Sequence, residues 1–288
     1  MDQVMTRSTS IARKGLKVPS YILLLTPAVT FMLLMYAYPF LASIIRSFLD
    51  KSGSFSLENY LKTLDLYTKD IAFTFSVTIF NTVCTAVLSI LLAVYFRIRQ
   101  NRITRILSAL YKLPLFIPFV VVAQMMNSFL APHGLLNVAL AQLRLINLEQ
   151  PLQLFNFSGL AFGFLWKQVP FAVLIMHGGF QMIDNSYIEA ARSAGAGMGK
   201  VITRVLIPMN KSSILVSLVL VYSQIVGTFT LPYMLIGGKI PTTITVDIAH
   251  RVNYFRDFGV ANALGVFSYL LVLLTAWYYL KTKLGETK

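Results

Sequence analysis

Asp184-Asn185-Ser186-Tyr187-Ile188-Glu189-Ala190-Ala191-Arg192-Ser193-Ala194-Gly195 is a polar, alanine-rich segment set between two long apolar runs. It reads as a short helix with a marked start and stop. Ser186 followed three residues later by Glu189 has the capping-box pattern, in which each side chain bonds an unpaired amide of the first turn. Ala190, Ala191 and Ala194 favour helix and leave a low-profile surface, and Gly195 permits the exit turn. The segment runs on to Val205-Leu206-Ile207-Pro208. Nothing in the apolar flanks requires such an insert for packing, so a small-faced helix here points to entry into a cleft on a partner.

Working outward, the flanks are two of six apolar runs near 21–45, 73–96, 107–130, 160–183, 214–236 and 259–280. Each is about 20 residues, the length that crosses roughly 30 Å of hydrocarbon as a helix. Of the 288 residues 56% are hydrophobic and 12% charged, with mean hydropathy +0.68, too little polar surface to coat a soluble globule. The fold class is therefore all-α, a polytopic membrane bundle, because lipid offers unpaired backbone groups no partner. Prolines 27, 39, 114, 118 and 170 fall within the runs; a bundle tolerates them where neighbouring helices satisfy the freed carbonyls. The intervals 51–71 and 131–159 are moderately long and could carry short surface helices. The run from Tyr21 follows Arg7, Arg13, Lys14 and Lys17 and shows no small-residue cleavage pattern, so it reads as a retained first span rather than a signal peptide.

Charge orients the bundle. The four intervals sharing the N-terminal side hold sixteen basic residues and four acids, among them Arg97, Arg99, Arg102, Arg105 and Lys112, whereas the opposite side holds eight basic residues and seven acids. Positive residues mark the cytoplasmic side, which places both termini and the segment 184–210 there, with a basic segment over 1–20 and a tail over 281–288. The same alternation explains the net charge of +14 without nucleic acid.

Catalytic chemistry is not written into the chain. There is no G-x-x-x-x-G-K-[ST] run to cradle nucleotide phosphates, and the Gly195, Gly197, Gly199 string follows a helix rather than a strand. His133, His177 and His250 are too far apart in the topology to form a metal set or a triad, and the lone Cys84 forms no intrachain disulfide. Polar side chains inside the runs are costly unless they face a cavity or another helix, so Lys167, Gln168, Asn127, Tyr222 and Gln224 are candidates for a solute pathway, with Gln124 and Ser223 beside them. No carboxylate falls inside the runs as bounded here, which argues against a proton-coupled carrier.

The stretch Glu189-Ala190-Ala191, three residues, Gly195, nine residues, then Val205-Leu206-Ile207 and Pro208 resembles the EAA loop of permease subunits of binding-protein-dependent ABC importers, departing only by Val205 and Ile207 where Ile and Leu are usual. The resemblance extends over the first span with Pro27, Pro39 and Ser47-Phe48, to Leu57-Glu58-Asn59-Tyr60 and to Gly134-Leu135-Leu136-Asn137. It implies a type I ABC importer permease fold in the bacterial inner membrane. Ser186, Glu189, Ala190, Ala191, Gly195 and Pro208 would then belong to a coupling helix seated on a cytoplasmic ATPase dimer, which would hold ATP and Mg. It also implies an extracytoplasmic solute-binding protein and a second, related permease completing the pathway, with no cofactor on this chain. Gly227-Thr228-Phe229-Thr230-Leu231-Pro232 with Gly237-Gly238 is similar to spermidine/putrescine-type permeases, as is Val169-Pro170-Phe171; the first span and Trp166-Lys167 are similar to sugar-type permeases too. On balance the resemblance leans to a polyamine-like solute, with sugar permeases as the alternative and an ATP-independent carrier behind both.

Overall fold

The computed structural model describes residues 20–286 apart from positions 100, 238 and 240. The basic segment expected over 1–20, with Arg7, Arg13, Lys14 and Lys17, lies outside the described residues except for Ser20, as do positions 287 and 288 of the tail. Among the described residues regular structure is helical, apart from one isolated bridge between Leu49 and Phe55.

The described residues up to 45 and those from 46 onward form separate compact units. Through the first, and two residues beyond it, runs α1 (Leu24–Ser47), apolar, mostly exposed over 24–41 and closed by the buried Ser47. Pro39 has no amide hydrogen, and the chain just before it widens into a π turn (Leu33–Ala37), in which Tyr38 N donates to Leu33 O. This is how a helix passes a proline without breaking.

The second unit is built on α2 (Glu58–Ile98) and α6 (Phe157–Gln181), which pack along each other. Polarity in α2 is inverted relative to a soluble helix. Phe75, Ile79, Val83, Val87 and Leu91 recur every four residues and are exposed, while Thr74, Thr78, Asn81, Thr85 and Ser89 face inward and are buried. Small polar residues at that spacing let backbones approach and bond locally: Thr78 Oγ1 donates to Thr74 O at 2.7 Å, and Ser89 Oγ reaches across to Val169 O at 3.3 Å. The remaining core brings Phe164, Met176 and Phe180 of α6 against Val77 and Ala93 of α2.

Between these two helices lie α3 (Arg102–Leu110), a 3-10 turn (Leu113–Phe116), α4 (Phe119–Leu130) and α5 (Leu135–Gln142). After α6 come α7 (Asn185–Ser193), α8 (Met198–Met209), α9 (Lys211–Gly227), α10 (Thr230–Ile236), α11 (Ile244–His250), a π turn (Arg251–Phe255) and α12 (Phe258–Glu286).

Three expectations need correction. The run 107–130 is not one helix: Lys112 to Pro118 interrupts it, because Pro118 cannot donate to the carbonyl of Pro114 and holds Ile117 extended at φ −87°, ψ 123°. The run 214–236 is likewise two helices. Pro232 cannot donate to Thr228 O, and that carbonyl accepts instead from Thr245 Oγ1 at 2.9 Å. Finally, 51–71 is not a loop with surface helices, since α2 begins at Glu58 and carries Asp70 into the packed bundle. The polar turns of α2 are held by the segment before α12: Lys62 Nζ lies 2.8 Å from Asp257 Oδ2, Tyr67 accepts from Arg251 Nε, and Asp70 Oδ1 accepts from Thr242 N at 2.7 Å.

Candidate functional site

The polar insert folds as the helix α7, but its start differs from the capping-box expectation. Asp184, not Ser186, is the N-cap, its Oδ1 accepting from Ser186 N at 2.8 Å. That bond holds the Asp184 carboxyl below the usual carboxylate range. With the cap at 184 the third helical residue is Tyr187, so Glu189 has no first-turn amide to reach and is exposed. The exit follows the sequence closely. Ala196 N donates to Ala191 O at 3.0 Å and Gly195 N to Arg192 O at 2.9 Å, the paired bonds of a Schellman ending, with Gly195 at φ +81° where a Cβ would be strained.

Ile188, Ala191 and Ala196 pack against the core cluster, which leaves Ser186, Tyr187, Glu189, Ala190 and Ser193 on the exposed side. One residue that the motif does not contain locks this presentation. Arg97, in the last turn of α2, donates from Nε to Phe180 O at 2.9 Å and from Nη2 to Ile183 O at 2.8 Å and Asn185 Oδ1 at 2.6 Å. It caps the unpaired carbonyls at the end of α6 and holds the start of α7 in one stroke. Read from sequence, Arg97 is only one of the positive residues that orient the chain; its place one turn from a span's end was the available signal.

Beyond α7, α8 and α9 meet at a bend of 69° centred on Asn210. Asn210 is buried and its Nδ2 donates to Met176 O at 2.8 Å. A Cβ on Gly179 would stand 2.0 Å from Asn210 Oδ1 and 2.2 Å from Ser213 Oγ, so this crossing requires glycine. Pro208 sits exposed just before the bend.

The five pathway candidates are not gathered at one place. Lys167 is buried, with Nζ donating to Pro114 O at 2.7 Å, Ile117 O at 2.6 Å and Leu115 O at 3.4 Å, beside the Phe119 ring. Its three donors serve the carbonyls of the proline break. Asn127 Nδ2 donates to Met234 O at 2.9 Å, tying α4 to α10. Gln168 is fully buried with neither amide atom bonded, Tyr222 is buried and Gln224 half-buried. A cavity of about 740 Å³ opens elsewhere, between α4 and α6, lined by Gln124, Ser128, Phe129, Phe162 and Trp166 together with aliphatic residues. It contains no charged side chain.

At the other end of the bundle, Asp247 of α11 is buried with Oδ2 unpaired, and burial, with Asp70 adding to it against Arg251, pushes its carboxyl up to about 8. Neither aspartate falls inside an apolar run, which is why neither was visible as an interior carboxylate.

Comparison with known proteins places this geometry. The family model described as "Binding-protein-dependent transport system inner membrane component" matches residues 86–280. The chain is 27% identical over 272 residues to the trehalose/maltose transport system permease protein MalF of Thermococcus litoralis, covering 90% of each. It is 25% identical over 230 residues to the spermidine/putrescine transport system permease protein PotB of Escherichia coli K12, covering 77% of this chain and 82% of the relative. Among solved structures, a chain of the bacterial alginate ABC transporter in complex with alginate pentasaccharide-bound periplasmic protein superposes with TM-score 0.78 at 19% identity, over 90% of this chain and 92% of that one.

Proposed function

From the premise that the chain belongs to the family of inner-membrane components of binding-protein-dependent transport systems, and so is a multi-pass permease subunit of an ABC importer, we propose how it couples and what it carries. The observation carrying the proposal is α7: a helix closed by Asp184 and Gly195, held from behind by Arg97, and presenting Glu189 and Ala190 outward. In this reading α7 seats in a groove of a cytoplasmic ATPase dimer, which holds ATP and Mg. Both termini face the cytoplasm, as do the segments 97–112 and 184–211. A solute-binding protein delivers its ligand on the other face. ATP binding draws the ATPase subunits together, and the coupling helices carry that motion into a change of cavity access. A second, related permease supplies the other wall.

The solute in this reading is a neutral polyhydroxylated molecule of the sugar class. Aromatic faces at Phe129, Phe162 and Trp166 with the amide of Gln124 suit stacking on a sugar ring and bonding to its hydroxyls, whereas a polyamine would leave its ammonium groups unpaired along this wall. The trehalose/maltose relative, which covers 90% of the chain against 77% for the spermidine/putrescine one, supports the same side. One observation favours a polyamine instead: the acids Asp70 and Asp247 are buried together at the outward end, where a bound ammonium group would offset the burial that keeps Asp247 protonated.

The test is substitution on α7 and its exit turn. Glu189→Lys and Gly195→Asp are expected to lower both the ATPase that copurifies with the permease and solute uptake into vesicles. Unchanged copurification and uptake in both variants would sink the coupling role. Ligand binding by the cognate binding protein separates sugar from polyamine.

A further inference from the structure

We propose that the end of α2 and the helix α3 form a binding site for one anionic phospholipid of the cytoplasmic leaflet, placed directly behind the coupling helix. The location in that leaflet rests on the orientation given above; the site itself rests on its own geometry.

A cavity of about 290 Å³ lies where α2, α3 and the end of α6 meet, lined by Arg99, Asn101, Arg105, Ser108, His177 and Gln181 with Phe96 and Thr104. Two arginines, both exposed, line it and no carboxylate does. Among the described residues neither Arg99 nor Arg105 has an ion-pair partner, whereas most of the neutral groups around them are engaged: Asn101 Oδ1 accepts from Thr104 N and Oγ1, Ser108 Oγ donates to Arg105 O, and His177 Nε2 lies 3.0 Å from Gln181 Nε2, with His177 Nδ1 buried and unpaired. Unpaired arginines converging on one cavity describe a receptor for a phosphate group.

The sequence Arg102-Ile103-Thr104-Arg105-Ile106-Leu107-Ser108-Ala109-Leu110 decides which phosphate. Ile103, Ile106, Leu107 and Leu110 recur at the spacing of one helical face, and each is between 42% and 62% exposed. A free phosphate makes no use of that stripe. A phospholipid does: its headgroup enters the basic cavity while its acyl chains lie along the aliphatic face, as an interfacial amphipathic helix arranges them. Charge and apolar surface therefore select the same ligand.

The position gives the lipid a consequence. Arg97, two residues before Arg99, is the group that bonds Phe180 O, Ile183 O and Asn185 Oδ1. An anion on Arg99 stiffens the last turn of α2 and, through Arg97, the presentation of α7. Coupling then depends on leaflet composition.

The experiment uses the full-length protein in nanodiscs and in detergent. Native mass spectrometry with added phosphatidylglycerol or phosphatidylcholine is expected to show retained phosphatidylglycerol, with a preference of roughly fivefold or more, the order expected from two partly screened arginines. Arg99→Gln/Arg105→Gln should abolish the preference. Lys51→Gln/Arg144→Gln, which removes equal charge elsewhere, should keep it. A photo-crosslinking residue at Ile106 in otherwise wild-type protein gives a readout independent of the double variant's folding, and is expected to capture phosphatidylglycerol. Four results overturn the site: no lipid preference in wild type, equal loss in the charge control, competition by inorganic phosphate as effective as by lipid, or capture of a protein partner at Ile106. None of these depends on ATPase copurification, so the permease reading stands or falls separately.

Discussion

Replacing Lys167 with methionine isolates what a buried cation does in this bundle. Methionine keeps the apolar length of the side chain and removes three donors. Two of the lost bonds are short, 2.7 Å to Pro114 O and 2.6 Å to Ile117 O, and the third, at 3.4 Å to Leu115 O, contributes little. Hydrogen bonds to a charged group contribute about 1.5–3 kcal/mol each, giving roughly 3–6 kcal/mol before the ammonium's own desolvation is subtracted, and a net loss of about 2–4 kcal/mol. At about 2–4 °C per kcal/mol for a chain of this size, the detergent-solubilised protein should melt about 5–15 °C lower. Lys167→Arg should fall between, since a planar fork cannot point three donors at carbonyls converging on one nitrogen. The assay is thermal unfolding followed by tryptophan fluorescence, with uptake measured in parallel. If Lys167→Met melts within about 2 °C of wild type, the clamp is not holding the break. If stability is retained while uptake is lost, Lys167 touches solute and the structural account fails.

Two further predictions test other joints. Gly179→Ala places a methyl group 2.0 Å from Asn210 Oδ1, which must displace the side chain that donates to Met176 O; overpacking of this kind costs about 1–3 kcal/mol, read as a lower melting temperature and a weaker Asn210 contact by cross-linking across the bend. Asp247, with its carboxyl pushed up to about 8 by burial and Asp70 against Arg251, titrates well above its unfolded value of about 3.9. The folded state then holds the proton more tightly, so its contribution is fully present below about pH 4 and is lost as pH rises through about 8. Asp247→Asn should flatten the pH dependence of stability across that window and exceed wild type at its alkaline end, and an unaltered profile would refute the assignment.

The apolar runs and the polar insert were legible because both are properties of composition over many residues. What was not legible is where a run is interrupted and what mends the interruption. Hydropathy averages over Pro114 and Pro118, and over Thr228 and Pro232, because the flanking residues remain apolar. The repair comes from far away in sequence: Lys167 serves the first break and Thr245 the second. Lys167, a pathway candidate when read alone in the sequence, carries this second task that only the fold brings to it. The helix start shows a different limit. Ser186 and Glu189 satisfy the capping pattern, but Asp184 is an equally good cap two residues earlier, and the choice is made by the tether from Arg97 to Ile183 O and Asn185, which no local pattern contains.

These repairs decide where the bundle can move. The helix α2 is unbroken for 41 residues, about 60 Å. At one end it bonds Thr242 N through Asp70 and Ile244 N through Thr74 Oγ1, and at the other Arg97 holds the start of α7. The two ends are therefore one rigid body, and a pull on α7 cannot be absorbed inside it. Compliance must reside where backbone bonds have been exchanged for bonds to one side chain: at 111–118, served by Lys167, and at 228–229, where Thr245 holds Thr228 O. Both breaks adjoin helices tied to each other through Asn127 and Met234 O, and the first opens directly into α4, which walls the apolar cavity. Hydrogen exchange on the intact protein should show this ordering, with amides flanking the two breaks opening at lower free energy than those of α2 between Thr74 and Ala93. Equal protection at the breaks and in α2 would mean that the cavity wall and the coupling helix move as one piece, and alternating access would then require a hinge outside this chain.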